Sequence, residues 1–141
     1  MSEEKKDKNR WVDAVTRMIE LTQQGKMRWD TVEPQGALAQ DENRISPVFQ
    51  TIYNGKGLRV YHKKVRVKSL GTGLVAYAPS IKSKPLFRRV GVLEFVNNEG
   101  APLWKFPHVD ALADLVTAVE YQVAGVNEFL NDLFSETNAA A

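Results

Sequence analysis

Cysteine is absent from this 141-residue chain, which excludes a disulfide framework, a thiolate metal site and a cysteine nucleophile. Histidine is scarce: His62 and His108 are the only two, so acid–base chemistry near neutral pH has few carriers. Long apolar runs are missing as well. None approaches the ~18 residues that a membrane-spanning helix needs. The opening MSEEKKDKNR lacks the apolar core of a signal peptide, so the expected location is cytoplasmic, with no membrane partner. Hydrophobic residues make up 43% and charged residues 26%, which is the composition of a folded protein. The length suits one domain, expected over residues 9–134, with disordered ends at 1–8 and 135–141.

Carboxylates are missing from one long stretch. Residues 44–93 carry eleven lysines and arginines and not a single acid. Residues 1–43 sum to −2, and residues 94–141 to −7 with Lys105 as their only base. The formal net charge of +2 hides this segregation. Local potential steers partners, so the basic block carries more information than the total.

What is present reads as an α+β fold. Trp11, Val12, Val15, Met18 and Ile19 recur at spacings of three and four, predicting a helix from about Arg10 to Gln24. Asn9 suits its N-cap and Gly25 its left-handed end. Residues 30–47 form a long polar connection with Pro34, Gly36 and Pro47; loops of that length are mobile or functional, and the residues do not choose between the two. A β-rich block follows. Strands are predicted at Val48–Tyr53, Leu58–Lys68, Leu74–Ala78, Arg88–Val96 and Leu103–Phe106. The turns between them fall at residues 54–57, 69–73 and 97–100, with a basic loop at 79–85. Asn54-Gly55 is the strongest of these turn signals, because both residues accept positive φ. Short turns between five strands give an antiparallel meander. A long helix from about Asp110 to Phe134 closes the chain, with Leu112, Leu115, Val116, Val119, Val123, Val126, Phe129, Leu130 and Leu133 on one face. The expected architecture is an N-terminal helix, a five-stranded meander and a long C-terminal helix, with the helices on one sheet face and the other face open.

The last helix has an unusual charge pattern. Asp110 and Asp114 suit its positive N-terminal end, but Glu128 and Asp132 sit toward the negative end with no base beyond Lys105. A positive surface on the same molecule or on a neighbour would compensate them.

No constellation for catalysis stands out. His62 falls in a basic strand, where a surface hydrogen bond is the expected role, and His108 sits at a strand-to-helix junction as a capping or packing residue. Asp110 with Asp114, and Asp41 with Glu42, lack the further ligands that a metal site needs. Glu94 alternates with Leu93 and Phe95 and is expected to point outward. Gly71-Thr72-Gly73 lacks the lysine and the strand-to-helix context of a phosphate loop, and reads as a hairpin turn. No catalytic residue, metal or cofactor is expected.

The basic strand is the most informative segment. His62, Lys64, Arg66 and Lys68 alternate onto one face, with Tyr61, Val65 and Val67 on the other. Leu58 and Val60 fall on the basic side, which predicts a bulge or twist around residues 61–63. Cations spaced by ~6.5–7 Å on a strand suit a row of phosphates. Lys82, Lys84, Arg88 and Arg89 extend the patch, and Tyr53, Tyr77 and Phe87 are available as stacking platforms. The same pattern also describes a solvated edge strand that resists aggregation. Trp11 and Trp104 are expected in the helix–sheet interface, and Trp29 at the turn after the first helix. A basic sheet followed by a helix is similar in outline to single-stranded-DNA-binding coactivator domains, a likeness of fold that assigns no residue a role. The expected function is therefore a non-enzymatic binding module for single-stranded nucleic acid with weak sequence preference. The alternative is an assembly subunit that meets an acidic protein surface, as a homo-oligomer or within a larger complex.

Overall fold

Asn54 and Gly55 turn the chain at the centre of the sheet. In the computed structural model, which describes residues 2–45, 47–67 and 86–139, both take positive φ, 49° and 77°. Such a two-residue turn matches the twist of the strands it joins. It links β2, Val48–Tyr53, to β3, Lys56–Arg66, with Tyr53 opposite Lys56. Lys56 and Gly57, expected in the turn, are already strand. β4, Phe87–Val96, pairs with β3 from Gly57↔Val96 to Arg66↔Phe87. β5, Pro102–Lys105, pairs with β4, and β1, Asp30–Val32, with β2. The result is one antiparallel sheet in the order β1-β2-β3-β4-β5.

Five strands were expected, but one of the five differs. β1 lies inside the segment read as a polar connection. The strand expected at Leu74–Ala78 falls outside the described residues, as do the neighbouring turn at 69–73 and the loop at 79–85. Parts of residues 30–45 lie against the sheet. Their 3-10 turn, Gly36–Leu38, buries Leu38, and residues 43–45 run beside β3, with Ile45 N–H donating to the His62 carbonyl and Lys64 N–H to that of Asn43.

Among the described residues three α-helices accompany the sheet: α1, Ser2–Gln23; α2, Ala111–Val123; and α3, Val126–Ala139. α1 takes in the charged residues that precede the apolar stripe. α2 and α3 replace the single helix expected over 110–134. Gly125 adopts a φ of 70°, the left-handed conformation that ends helices and that glycine reaches without steric cost. The amide of Gly125 bonds back to Gln122, and Phe129 N–H then restarts the helix on the Gly125 carbonyl. The apolar repeat runs straight through this break, so periodicity alone conceals it.

α1 and α2 pack on one face of the sheet. Val15, Leu58, Val60, Leu93, Leu112, Leu115, Val116 and Val119 form the main core. α2 lies very close to β4, because Gly91 has no side chain: a Cβ there would come within 2.3 Å of the Leu112 backbone. Gln122 ties the end of α2 to the turn after α1. Its amide donates to the carbonyls of Thr22 and Met27 and accepts from Trp29 N–H. The buried indole of Trp29 donates to Thr22 Oγ1 at 3.1 Å, which locks the turn after α1. Trp11 meets Trp104 and Phe106 at centroid distances of 5.7 and 5.0 Å, closing the helix–sheet interface at the β5 edge.

Candidate functional site

Register decides what becomes of the basic strand. β3 and β4 pair without interruption through residues 57–66, so the bulge expected around 61–63 is absent; the irregularity lies instead between Phe95 and Val96, opposite β5. Alternation therefore holds along the whole of β3. Leu58, Val60, His62, Lys64 and Arg66 share the helix-covered face, and the helices cover only its first half. Paired residues point to the same side, so Phe87 and Arg89 join Lys64 and Arg66 there, while Arg88 and Val65 belong to the opposite face.

The candidate residues accordingly divide. Lys64, Arg66 and Arg89 gather at the open end of β3 and β4 beside the exposed ring of Phe87, with Lys64 Nζ 5.0 Å from its centroid. Leu86, 69% exposed, precedes it. Arg88 lies just behind, on the other face. Tyr53 is at the far end of the hairpin, opposite Lys56, eight residues along the strand from Lys64, or ~26 Å at ~3.3 Å per residue. It cannot stack a base held by Lys64, whereas Phe87 can. Lys68, Lys82, Lys84 and Tyr77 lie outside the described residues.

His62 is not at the surface. It is 2% exposed beneath α2, with Nε2 3.3 Å from the Ala113 carbonyl oxygen and Nδ1 3.2 Å from Glu120. Gly91 stands opposite it in the sheet and brings α2 down onto it. Burial pushes its pKa below the ordinary histidine value, against the upward pull of the Ala113 carbonyl and the Glu120 carboxylate. His108 is exposed, with Nε2 3.5 Å from Asp110, in a different part of the chain.

The opposite sheet face is not open either. Val32, Leu38, Val48, Tyr61 and Val92 form a second apolar cluster there. Beside it Arg59 donates through Nε and Nη2 to Glu94 and through Nη1 to the Gly100 carbonyl. Glu94 is thus buried in an ion pair rather than pointing outward. Tyr61 Oη donates to the same carboxylate at 3.4 Å; burial first, then the Glu94 charge, raises the phenol pKa well above its usual value. A cleft of about 450 Å³ runs between this group and the 35–38 turn. Asp41, at its edge, accepts from Asn43 N–H at 2.9 Å and lies 3.5 Å from Lys63 Nζ; the amide and then the ammonium hold its pKa down. The Arg59–Glu94 pair was missed in the sequence because it depends on register. Arg59 faces Glu94 directly across β3 and β4.

A third surface is α3. Phe129 and Phe134 are 63% and 60% exposed. Glu128, Asp132 and Glu136, spaced four apart, form an exposed acidic stripe next to Phe129. Among the described residues no three histidine, aspartate or glutamate side chains converge as metal ligands would. No described helix is long and apolar enough to cross a membrane. No protein-family model, curated protein or solved structure matches this chain.

Proposed function

We propose that this protein is a non-enzymatic assembly module that works by docking on another protein surface. One observation carries the reading: α3 exposes two phenylalanines, one of them, Phe129, beside an unbroken acidic stripe. A helix that leaves large aromatic side chains in water loses the burial that normally stabilises it, and contiguous exposed apolar patches mark interaction sites. The acids set the character of the contact, because a stripe of one sign selects a basic surface. The test is affinity purification of the full chain beside Phe129→Ser/Phe134→Ser. A stoichiometric protein retained by the wild type and lost by the variant supports the reading. Equal retention by both removes α3 from it.

A second reading, binding of single-stranded nucleic acid, is favoured by Lys64, Arg66 and Arg89 sharing one face with the exposed Phe87 ring. It implies phosphate contacts with weak sequence preference, one stacked base, and a log–log salt slope of about −2 for three cations at ~0.7 each. Fluorescence anisotropy with labelled single strands at two salt concentrations tests it. Absence of binding at low salt removes it.

A further inference from the structure

We infer that the partner of α3 is the cationic sheet end of a second copy of this chain, docked reciprocally across a two-fold axis. The inference rests on the assembly reading and names its partner. The two surfaces match in three respects.

The first is charge. Lys64, Arg66 and Arg89 make no ion pair among the described residues, and Glu128, Asp132 and Glu136 make none either. Each set has one sign, so each lacks what the other supplies.

The second is spacing. The acids of α3 recur every four residues, or ~6 Å along a helix rising ~1.5 Å per residue. Lys64 and Arg66 are two residues apart on a strand, or ~6.6 Å. A helix laid along β3 therefore sets two successive acids of the stripe against Lys64 and Arg66 without bending, with Arg89 beside Lys64.

The third is apolar content. Phe129 lies beside the acidic stripe on α3, while Leu86 and Phe87 flank the cations, all of them exposed. Docking removes Phe129 and Phe87 from water beside the paired charges, so apolar and polar contacts adjoin as they do in protein interfaces. In a two-fold dimer the contact forms twice, because each chain carries both surfaces. Pairing α3 with a second α3 would instead set acids against acids.

Light scattering on the full chain provides the test, with two charge-reversed variants. Wild type is expected at twice the 15.9 kDa of one chain at micromolar concentration, dissociating as salt is raised. Asp132→Lys/Glu136→Lys on α3 and Arg66→Glu/Arg89→Glu on the sheet should each raise the dimer dissociation constant at least ~100-fold, because each sets like charges together. An equimolar mixture of the two variants should recover the dimer, since reversed helix meets reversed sheet and native helix meets native sheet. That recovery also shows that both variants are folded. A wild-type monomer overturns the inference, as does a dimer that survives either reversal, or a mixture that stays monomeric. The assembly reading is tested separately by the purification, where equal retention by Phe129→Ser/Phe134→Ser removes α3 from it. A monomer that binds single-stranded DNA through Arg66 and Arg89 overturns the inference in favour of the nucleic-acid reading.

Discussion

Arg59 and Glu94 face each other across β3 and β4 and form a buried ion pair, their side chains 8% and 12% exposed. The guanidinium also donates to the Gly100 carbonyl, so the pair fastens the 97–100 turn to the middle of the sheet. Taking two charges from water is costly, and the geometry must recover that cost. Losing one partner while the other stays buried is more expensive than losing both.

Glu94→Gln should therefore destabilise the fold by ~3–5 kcal/mol. Arg59→Met/Glu94→Leu should recover much of the loss, because it leaves no orphaned charge. Urea denaturation of Glu94→Gln, of Arg59→Met and Glu94→Leu singly, and of the double variant checks this. A double variant whose loss equals the sum of the single losses would show that the two side chains act independently.

His62 should make stability sensitive to acid. Burial lowers its pKa in the fold below the ordinary value of 6.5, so the unfolded chain takes up the proton first. The contribution of neutral His62 is fully present above pH 6.5 and is lost as pH falls from there through the folded pKa. His62→Gln, which cannot ionise, should show a flatter dependence of the urea midpoint between about pH 7.5 and 5.5. Because His108 and Glu120 remain in both proteins, the difference isolates His62. Parallel curves for the two proteins would refute the assignment.

Gly91→Ala should be among the most damaging single-methyl changes. The added Cβ would meet the carbonyl carbon and oxygen of Leu112 at 2.3 Å, and backbone cannot rotate aside as a side chain can. The expected loss is at least ~3 kcal/mol, at or beyond the upper end for overpacking. Thermal melting followed by circular dichroism measures it. A melting temperature within a degree or two of wild type would mean that α2 is free to lift from β4.

Elements whose cause is local were legible in the residues. The Asn54-Gly55 turn, strand β2 and the stripe of α1 rest on φ preference and periodicity within a few positions. The break at Ala124-Gly125 was legible only in part, because the apolar repeat continues across it and a single glycine carries the signal. β1 was not legible. Asp30–Val32 is three residues long with two exposed, and it is a strand only because β2 lies beside it.

The candidate site shows the same division more sharply. The acid-free basic block, the −7 C-terminal segment and the fold class follow from the order of residues alone, since charge and periodicity belong to the chain. Which side each cation takes does not. Leu58 and Val60 on the basic side called for a bulge or twist; the pairing has no bulge, and the face changes from covered to uncovered where the helices end. Whether His62 is a surface base or a sealed histidine was decided by Gly91 bringing α2 onto it. Whether Glu94 points to water or to Arg59 was decided by register, and the distance between Tyr53 and Lys64 by the length of one hairpin. Phe129 leaves the core because the chain turns at Gly125. All of these depend on residues far apart in sequence coming together, and that juxtaposition exists only in the folded chain.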